Sequence, residues 1–309
     1  MKSNIIIHIM PNEIDWFEKI SDNLLRNALY LTSVESKNTT IDATLNLSKS
    51  LYNYLEFKIP IEFFEKKFNS IESKLKQAFS TNFNIEYGAE IQGINDKRRD
   101  SIRKYSDLYD VMIYMDTDVV FPDISLQYIL ASTRLLLETK KDYFIITPEI
   151  TKFWDNSWDV ITNKNYLTLP FNHRDTFNTH NLYNVNAYDS IYLEENTQNC
   201  KFGGGWLNAF SSKLLKFTDI PDSLGSYGED DTYVMLACDI MNSFNLSVSQ
   251  YIIRNLVVSE EGNFREKVYD LYIPKVANNQ DVRKIASTNL PSELKKFKNK
   301  CHDYILHTK

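Results

Sequence analysis

The stretch Tyr109-Asp-Val-Met-Ile-Tyr-Met-Asp116-Thr117-Asp118-Val-Val-Phe-Pro122 is an apolar segment of strand character that ends in two carboxylates one residue apart. Carboxylates this close repel each other unless a cation lies between them. Mg²⁺ and Mn²⁺ suit such a position, because they retain water and bind nucleotide phosphates through one or two protein carboxylates. The stretch therefore predicts a buried strand with a metal–nucleotide site at its end.

Three strand–helix units precede this segment. Apolar alternation and helical spacing predict strands at residues 5–10, 40–47 and 83–87 and helices at residues 14–31, 60–79 and 95–108. The order β-α-β-α-β-α-β is typical of a doubly wound α/β sheet, mostly parallel, with helices on both faces. Ligands bind such sheets at the carboxyl ends of the strands, which is where Asp116 and Asp118 are expected.

The second half of the chain is less regular. Periodicity predicts a helix at 126–139, a strand at 142–148, a helix at 207–217, a helix through Met241 and strands within 246–258. Residues 152–200 are rich in Asn, Asp, Tyr and Trp without a clear period, which favours a functional loop region. Three of the eight glycines are consecutive at 203–205. Such a cluster predicts a backbone that turns tightly or approaches a ligand.

Composition excludes several classes of protein. The chain has 309 residues, 43% of them hydrophobic, and a formal net charge of -6 at pH 7, which argues against a nucleic-acid partner. Three widely spaced cysteines lack metal-ligand spacing. The apolar run at residues 5–10 is too short for a secretory signal, and no run approaches the roughly 20 apolar residues of a membrane span. We expect a cytoplasmic protein.

Three motifs, taken in order, resemble the GT-A fold of nucleotide-sugar glycosyltransferases. They are Asp116-Thr117-Asp118 at a strand end, Phe202-Gly-Gly-Gly-Trp206 at a turn, and Gly228-Glu229-Asp230-Asp231 at a helix start. The last two together look like the β-1,4-galactosyltransferase and polypeptide N-acetylgalactosaminyltransferase type. The resemblance spans residues 5–258 in layout, although only about thirty residues carry motif information.

The resemblance implies a cation site. The second Asp of D-x-D, Asp118, would coordinate Mn²⁺ or Mg²⁺, and Asp116 would contact the donor ribose or assist the metal. The cation would neutralise the leaving diphosphate. Many relatives add a histidine after the last strand, which this chain lacks. Either His302 folds back as the third ligand, or the metal keeps an extra water, or cation dependence is weak.

The resemblance also implies donor, acceptor and catalytic residues. Asp230 is expected to be the base that deprotonates the acceptor hydroxyl, held ionised at a positive helix terminus. The donor would contact a set of residues before and after the D-x-D strand, namely Pro11, Arg99, Gly204 and Gly205. The acceptor would contact the ring of Trp206 and the carboxylates of Glu229 and Asp231.

These assignments divide the chain into a catalytic domain and an extension. Residues 1–122 would bind the nucleotide and 123–262 the acceptor, while 263–309 form an extension with an amphipathic helix. We expect an inverting enzyme of polysaccharide biosynthesis that moves sugar from a nucleoside-diphosphate sugar, on family frequency a UDP-sugar, to a glycan or glycolipid hydroxyl. The lysine-rich helix at 291–306 would dock on the domain or contact an anionic membrane where lipid-linked acceptors reside.

Two other functions fit parts of the pattern. In a haloacid-dehalogenase phosphatase Asp116 would be the nucleophile and Asp118 the general acid. That pattern normally ends the first strand of its fold, whereas here three strand–helix units come before it. A non-catalytic carbohydrate-binding protein would retain the scaffold without the chemistry. Each motif also has an ordinary structural explanation, as a polar turn, a loop or a helix cap.

Overall fold

The computed structural model describes residues 1–48, 59–88, 93–151, 190–196, 203–260 and 280–308. The strands are β1 (Ser3–Ile9), β2 (Thr39–Asn46), β3 (Ser80–Glu86), β4 (Val111–Met115), β5 (Val119–Val120), β6 (Tyr143–Thr151), β7 (Leu193–Glu195), β8 (Trp206–Ser211) and β9 (Val248–Glu260). The helices are α1 (Ile14–Ala28), α2 (Ser33–Lys37), α3 (Ile61–Leu75), α4 (Ile94–Tyr105), α5 (Ser125–Glu138), α6 (Ser212–Thr218), α7 (Asp230–Ser243) and α8 (Gln280–Thr308). Most of the irregular region at 152–200 and the boundary at 262 lie outside the described residues.

The described strands form one sheet in the order β3-β2-β1-β4-β8-β6-β9-β5, with β7 beside β9. The pairs β1–β2, β1–β4, β2–β3 and β6–β9 are parallel, while β8 runs antiparallel between β4 and β6. The predicted α/β fold, with a mostly parallel central sheet and helices on both faces, is confirmed.

The segment from Trp206 to Ser211 corrects one prediction, because it is strand β8 rather than part of a helix. All six of its side chains are buried. A short apolar run that is covered on both faces of a sheet has no alternation, so periodicity does not distinguish it from a buried helix. The helix that we predicted over 207–217 begins only at Ser212.

Helices cover both faces of the sheet, and β1 shows how the faces are assigned. Ile5, Ile7 and Ile9 belong to the core under α1, α3 and α5, whereas Ile6 belongs to the core under α4, α6, α7 and α8. This alternation follows from the two-residue period of a strand. On the first face, the rings of Phe17, Phe68 and Phe83 pack with centroids 4.7–5.9 Å apart.

Helix α8 packs on the second face. Phe297 and Cys301 are buried, and the Phe297 ring lies 5.8 Å from Phe217 and 6.1 Å from Tyr233, measured between centroids. The helix begins at Gln280, well before the proline at which we predicted its start, and it includes that proline. The amphipathic helix thus docks through its apolar stripe. No helix among the described residues is long and apolar enough to cross a bilayer.

Candidate active site

The carboxylates of the D-x-D motif lie directly after β4 at the carboxyl edge of the sheet. Asp118 is buried, and the Asp116 side chain is 19% exposed. The backbone N–H of Asp116 donates to the Gly205 carbonyl at 2.7 Å. A Cβ atom on Gly205 would lie 2.0 Å from Asp116 Oδ1. The glycine turn therefore brings bare backbone against this carboxylate, a closeness that any side chain at 205 would prevent.

A β-bulge lies beside this glycine turn, where β8 pairs with the end of β4. Tyr114 pairs with Asn208 and Met115 with Trp206, so Leu207 is the extra residue. Leu207 has a φ of 59°, which is unfavourable for a branched side chain. Bulges bend a strand and redirect its side chains. The bulge therefore bends β8 next to the glycine turn, opposite the end of β4.

Glu13 is a third carboxylate near this pair, and sequence reasoning missed it. It ends a 3-10 turn after β1, and its Oε2 accepts a hydrogen bond from the Met10 N–H at 2.9 Å. Burial raises the pKa of Glu13 to about 8, with the charges of Asp118 and Asp116 adding to the rise. Burial thus favours the neutral form of the Glu13 carboxyl group. Pro11, which we predicted to contact the donor, is buried in the same turn.

The second acidic pair begins helix α7. Glu229, at the N-cap, has a left-handed backbone with φ 61°, and Gly228 precedes it with φ 88°. A strained conformation of this kind is common at functional sites. Asp230 is buried, while Asp231 accepts a hydrogen bond from the Thr232 N–H at 2.7 Å. Burial, then the charge of Asp230, raises the pKa of Asp231 to about 6.

Arg98 joins the two acidic pairs. Its Nη1 lies 2.6 Å from Asp230 Oδ2 and its Nη2 lies 3.3 Å from Asp116 Oδ1. The guanidinium also lies over the Tyr114 ring, 4.6 Å from the centroid. Burial opposes the charge of Arg98, but Asp230 and Asp116 outweigh it and raise the pKa of the guanidinium further. Motifs far apart in sequence are therefore in contact through one side chain.

Arg99, which we predicted to hold the nucleotide, lies elsewhere. Its guanidinium donates to the carbonyls of Ile220, Pro221 and Gly225 at 2.9–3.0 Å. It fastens the segment that leads into α7. Successive helix residues point about 100° apart, so the position facing the acidic pairs is Arg98, one residue earlier.

Three other predicted residues do not form an open ligand surface. Trp206 is 3% exposed and belongs to the core, so its ring offers no free face to an acceptor sugar. The Gly204 carbonyl accepts from Asn208 Nδ2 at 2.8 Å. His302 lies beside Phe244, with 6.5 Å between ring centroids. Phe244 ends the helix that Asp230 begins, about 20 Å away, so the structure does not bring His302 to the D-x-D pair.

Polar side chains continue the edge of the sheet beyond β4. His8, near the end of β1, is buried, but its Nε2 has no hydrogen-bond partner in the described part of the chain. Burial, then the charges of Lys97 and Arg98, lowers the pKa of His8 to about 3. Lys97 forms an ion pair with Glu86 at the end of β3. Both neighbouring cations are paired with carboxylates, so the neutral imidazole is a group here that has hydrogen-bonding capacity left for a polar ligand.

The carboxylates of the site suit a divalent cation whose other ligands are water and phosphate. No group of three His, Cys, Asp or Glu side chains within the described ranges forms a complete cation cage. Mg²⁺ and Mn²⁺ at nucleotide sites need only one or two carboxylates, with water and phosphate completing the shell. Asp116 and Asp118 fit that requirement.

Comparisons with known proteins add little. No protein-family model matches the chain, and no curated protein matches it. A structure from Desulfovibrio desulfuricans G20, described as a nucleotide-diphospho-sugar transferase, is 11% identical, with 96% of this chain and 99% of that chain covered and a TM-score of 0.39. A UDP-glucose pyrophosphorylase with UDP-glucose is 8% identical over 48% of this chain and 57% of that chain, with a TM-score of 0.25. Similarity this low carries no conclusion about function.

Proposed function

We propose that this chain is a GT-A-type glycosyltransferase that moves a sugar from a nucleoside-diphosphate donor to a hydroxyl of a glycan or glycolipid. The observation that supports the proposal is the Arg98 bridge, which brings the D-x-D carboxylate of Asp116 next to the helix-start carboxylate of Asp230. A donor-side group and an acceptor-side group within reach of one side chain are what a direct transfer needs.

The chemistry follows from this arrangement. Asp116 and Asp118 would hold Mn²⁺ or Mg²⁺, which when bound neutralises charge on the departing diphosphate. The acceptor oxygen attacks C1 of the sugar while the bond from C1 to the diphosphate oxygen breaks, and Asp230 accepts the hydroxyl proton. Glu229 and Asp231 are proposed to bind acceptor hydroxyls. Attack from the face opposite the leaving group inverts the anomeric centre.

The donor is proposed to be a UDP-sugar, by family frequency. The nucleotide would lie along the ends of β1 and β4, near Pro11 and His8. The similarity of residues 228–231 to the galactosyltransferase and N-acetylgalactosaminyltransferase type is the basis for the acceptor-side roles of Glu229 and Asp231. A place in polysaccharide biosynthesis and contact of α8 with a membrane, through its exposed lysines, remain proposals on the same basis.

The phosphatase alternative is less well supported. Its nucleophile follows the first strand of the fold, whereas Asp116 follows the fourth strand in sequence. The carboxylate of Asp116 also lies against the Gly205 backbone and is bridged to Asp230 by Arg98, which suits a fixed ligand better than an attacking group. A non-catalytic carbohydrate-binding protein has no need for this bridge.

The decisive experiment compares Asp230→Asn with the parent protein on a panel of nucleotide sugars with and without Mn²⁺. We expect UDP-sugar and Mn²⁺ together to raise the melting temperature of both. Turnover of the variant should fall about 10²- to 10⁴-fold, because proton transfer is lost. Asp303→Asn, on the exposed face of α8, is the matched control and should change neither the rise in melting temperature nor the turnover.

Other outcomes would reject parts of the proposal. Stabilisation by guanosine or cytidine diphosphates but not by uridine diphosphate would reject the donor. Hydrolysis of p-nitrophenyl phosphate that depends on Asp116 would support the phosphatase. Sugar binding without turnover in the parent protein would support the non-catalytic alternative.

A further inference from the structure

Arg98 is shared by two carboxylates that the proposed reaction uses for different purposes. Its contact with Asp230 is the shorter, at 2.6 Å against 3.3 Å for Asp116. All three side chains are at most 19% exposed, so water screens these charges weakly. The charge on Arg98 therefore acts on both Asp116 and Asp230.

The guanidinium has little freedom to leave this position. Tyr114 lies against one face of it, and the helix that carries it is fixed to the segment before α7 at several points. Asn95 Nδ2 donates to the Gly228 carbonyl at 2.9 Å, and the Asn95 N–H donates to the Ser226 carbonyl at 3.1 Å. Arg99 binds three more carbonyls of that segment. The direction of the Asp230 carboxylate is thus set by Arg98.

We propose that Arg98 is a positioning residue that aims the Asp230 carboxylate at the donor end of the site and that competes, through Asp116, with the divalent cation. The catalytic part of this inference rests on the proposed function, while the competition does not. A cation that binds Asp116 and Asp118 would approach the guanidinium and repel it. By linkage, Arg98 then lowers the affinity of the site for the cation alone.

The same linkage gives Arg98 a role during turnover. With a cation held by Asp116 and Asp118, the contact of Arg98 with Asp116 would weaken and the guanidinium would remain with Asp230. Asp230 then takes the acceptor proton as the new bond to C1 forms and the bond to the diphosphate breaks. Donor binding with its cation would therefore fix the direction of the Asp230 carboxylate before the acceptor binds.

Mn²⁺ binding to the chain without any nucleotide tests the competition. We expect Arg98→Met to bind Mn²⁺ at least about fivefold more tightly than the parent protein, measured by the signal of free Mn²⁺ in electron paramagnetic resonance. Arg134→Met is the matched control, because it removes an arginine that pairs with Glu35 and touches neither acidic pair, and its Mn²⁺ affinity should equal that of the parent. Unchanged or weaker Mn²⁺ binding by Arg98→Met would overturn the competition.

Arg98→Lys keeps the positive charge and provides a second test in case Arg98→Met does not fold. A lysine has no fork to reach both carboxylates. We expect Mn²⁺ affinity close to that of the parent, because the positive charge remains. A Lys variant that binds Mn²⁺ as tightly as a folded Met variant would also overturn the proposal.

Steady-state kinetics test the positioning role. Arg98→Met should lower kcat by about 10²-fold with the donor KM within about threefold of the parent, and Arg98→Lys should restore part of kcat. A donor KM raised tenfold or more with kcat retained would mean that Arg98 binds the diphosphate instead. If the parent turns over no nucleotide sugar, the proposed function fails, and the Mn²⁺ measurement still decides the competition.

Discussion

The two acidic pairs of the site carry the same charge in different settings. Asp116 and Asp118 follow a strand, where there is no helix dipole, and bare backbone at Gly205 lies against the first of them. Asp230 and Asp231 begin a helix, where the positive terminus favours negative charge, and Arg98 lies closer to Asp230 than to Asp116. The fold thus compensates the charge of Asp230 more than that of the strand pair, which relies more on a ligand. This difference suggests why a cation would select the strand pair.

The largest expected effect comes from removing a carboxylate of the strand pair. Asp118→Asn should lower Mn²⁺ affinity more than tenfold and reduce turnover by about 10³-fold or more, because a charged ligand of the cation is lost. Mn²⁺ titration and initial rates measure both. Asp123→Asn is the control, since this nearby carboxylate pairs at the surface with Arg26 and should leave both values unchanged. Equal Mn²⁺ affinity of Asp118→Asn and the parent would remove the distinction between the pairs.

A smaller effect is expected from the glycine that approaches the strand pair. Gly205→Ala places Cβ within 2.0 Å of Asp116 Oδ1, so the turn must shift, at a cost of about 1–3 kcal/mol in the free energy of unfolding. Urea unfolding measures that cost, and Mn²⁺ affinity should fall with it.

Gly203→Ala separates the loss of stability from the loss of Mn²⁺ affinity that we expect of Gly205→Ala. Its Cβ would meet the flexible end of Met235, at 2.6 Å, rather than a site carboxylate. Stability should fall while Mn²⁺ affinity stays at the value of the parent. A loss of Mn²⁺ binding in both variants would show that the whole turn, and not the contact with Asp116, is responsible.

The smallest effect concerns the helix pair and depends on pH. The pKa of Asp231 rises from its ordinary 3.8 to about 6 in the fold, so its contribution to stability is fully present below the ordinary value and is lost as pH rises through about 6. Asp231→Asn does not titrate. We expect this variant to be about 1–2 kcal/mol more stable than the parent at pH 7.5 and similar to it near pH 4. Urea unfolding at the two pH values measures the difference, and an equal offset at both would contradict the shifted titration.

The fold was largely predictable because its first half alternates strands and helices with clear periods. The positions of β1, β2, β4 and the helices between them follow from buried apolar residues, and the D-x-D pair lies at the predicted edge. Strand β8 escaped prediction because burial on both faces removes its alternation. The β5 and β7 strands are too short to leave a pattern.

The motifs of the candidate site are visible in the sequence, but the contacts between them are not. Asp116 and Asp230 stand out by residue type and motif order, whereas the choice between Arg98 and Arg99 depends on how the helix is rotated against the segment before α7. Glu13 was missed because it comes near Asp118 only in the folded chain, and local sequence does not encode this proximity. His302 was assigned for its chemistry alone, and helix α8 carries it to the far end of α7.

Arg99 holds the segment at 220–225 largely through main-chain oxygens, in addition to its ion pair with Asp222, and a carbonyl is available whatever side chain its residue carries. The partly exposed positions of the loop, such as Ser223 and Tyr227, can therefore diverge without releasing it. Evolution, or a protein engineer, can vary the approach to the second acidic pair while its anchor stays constant.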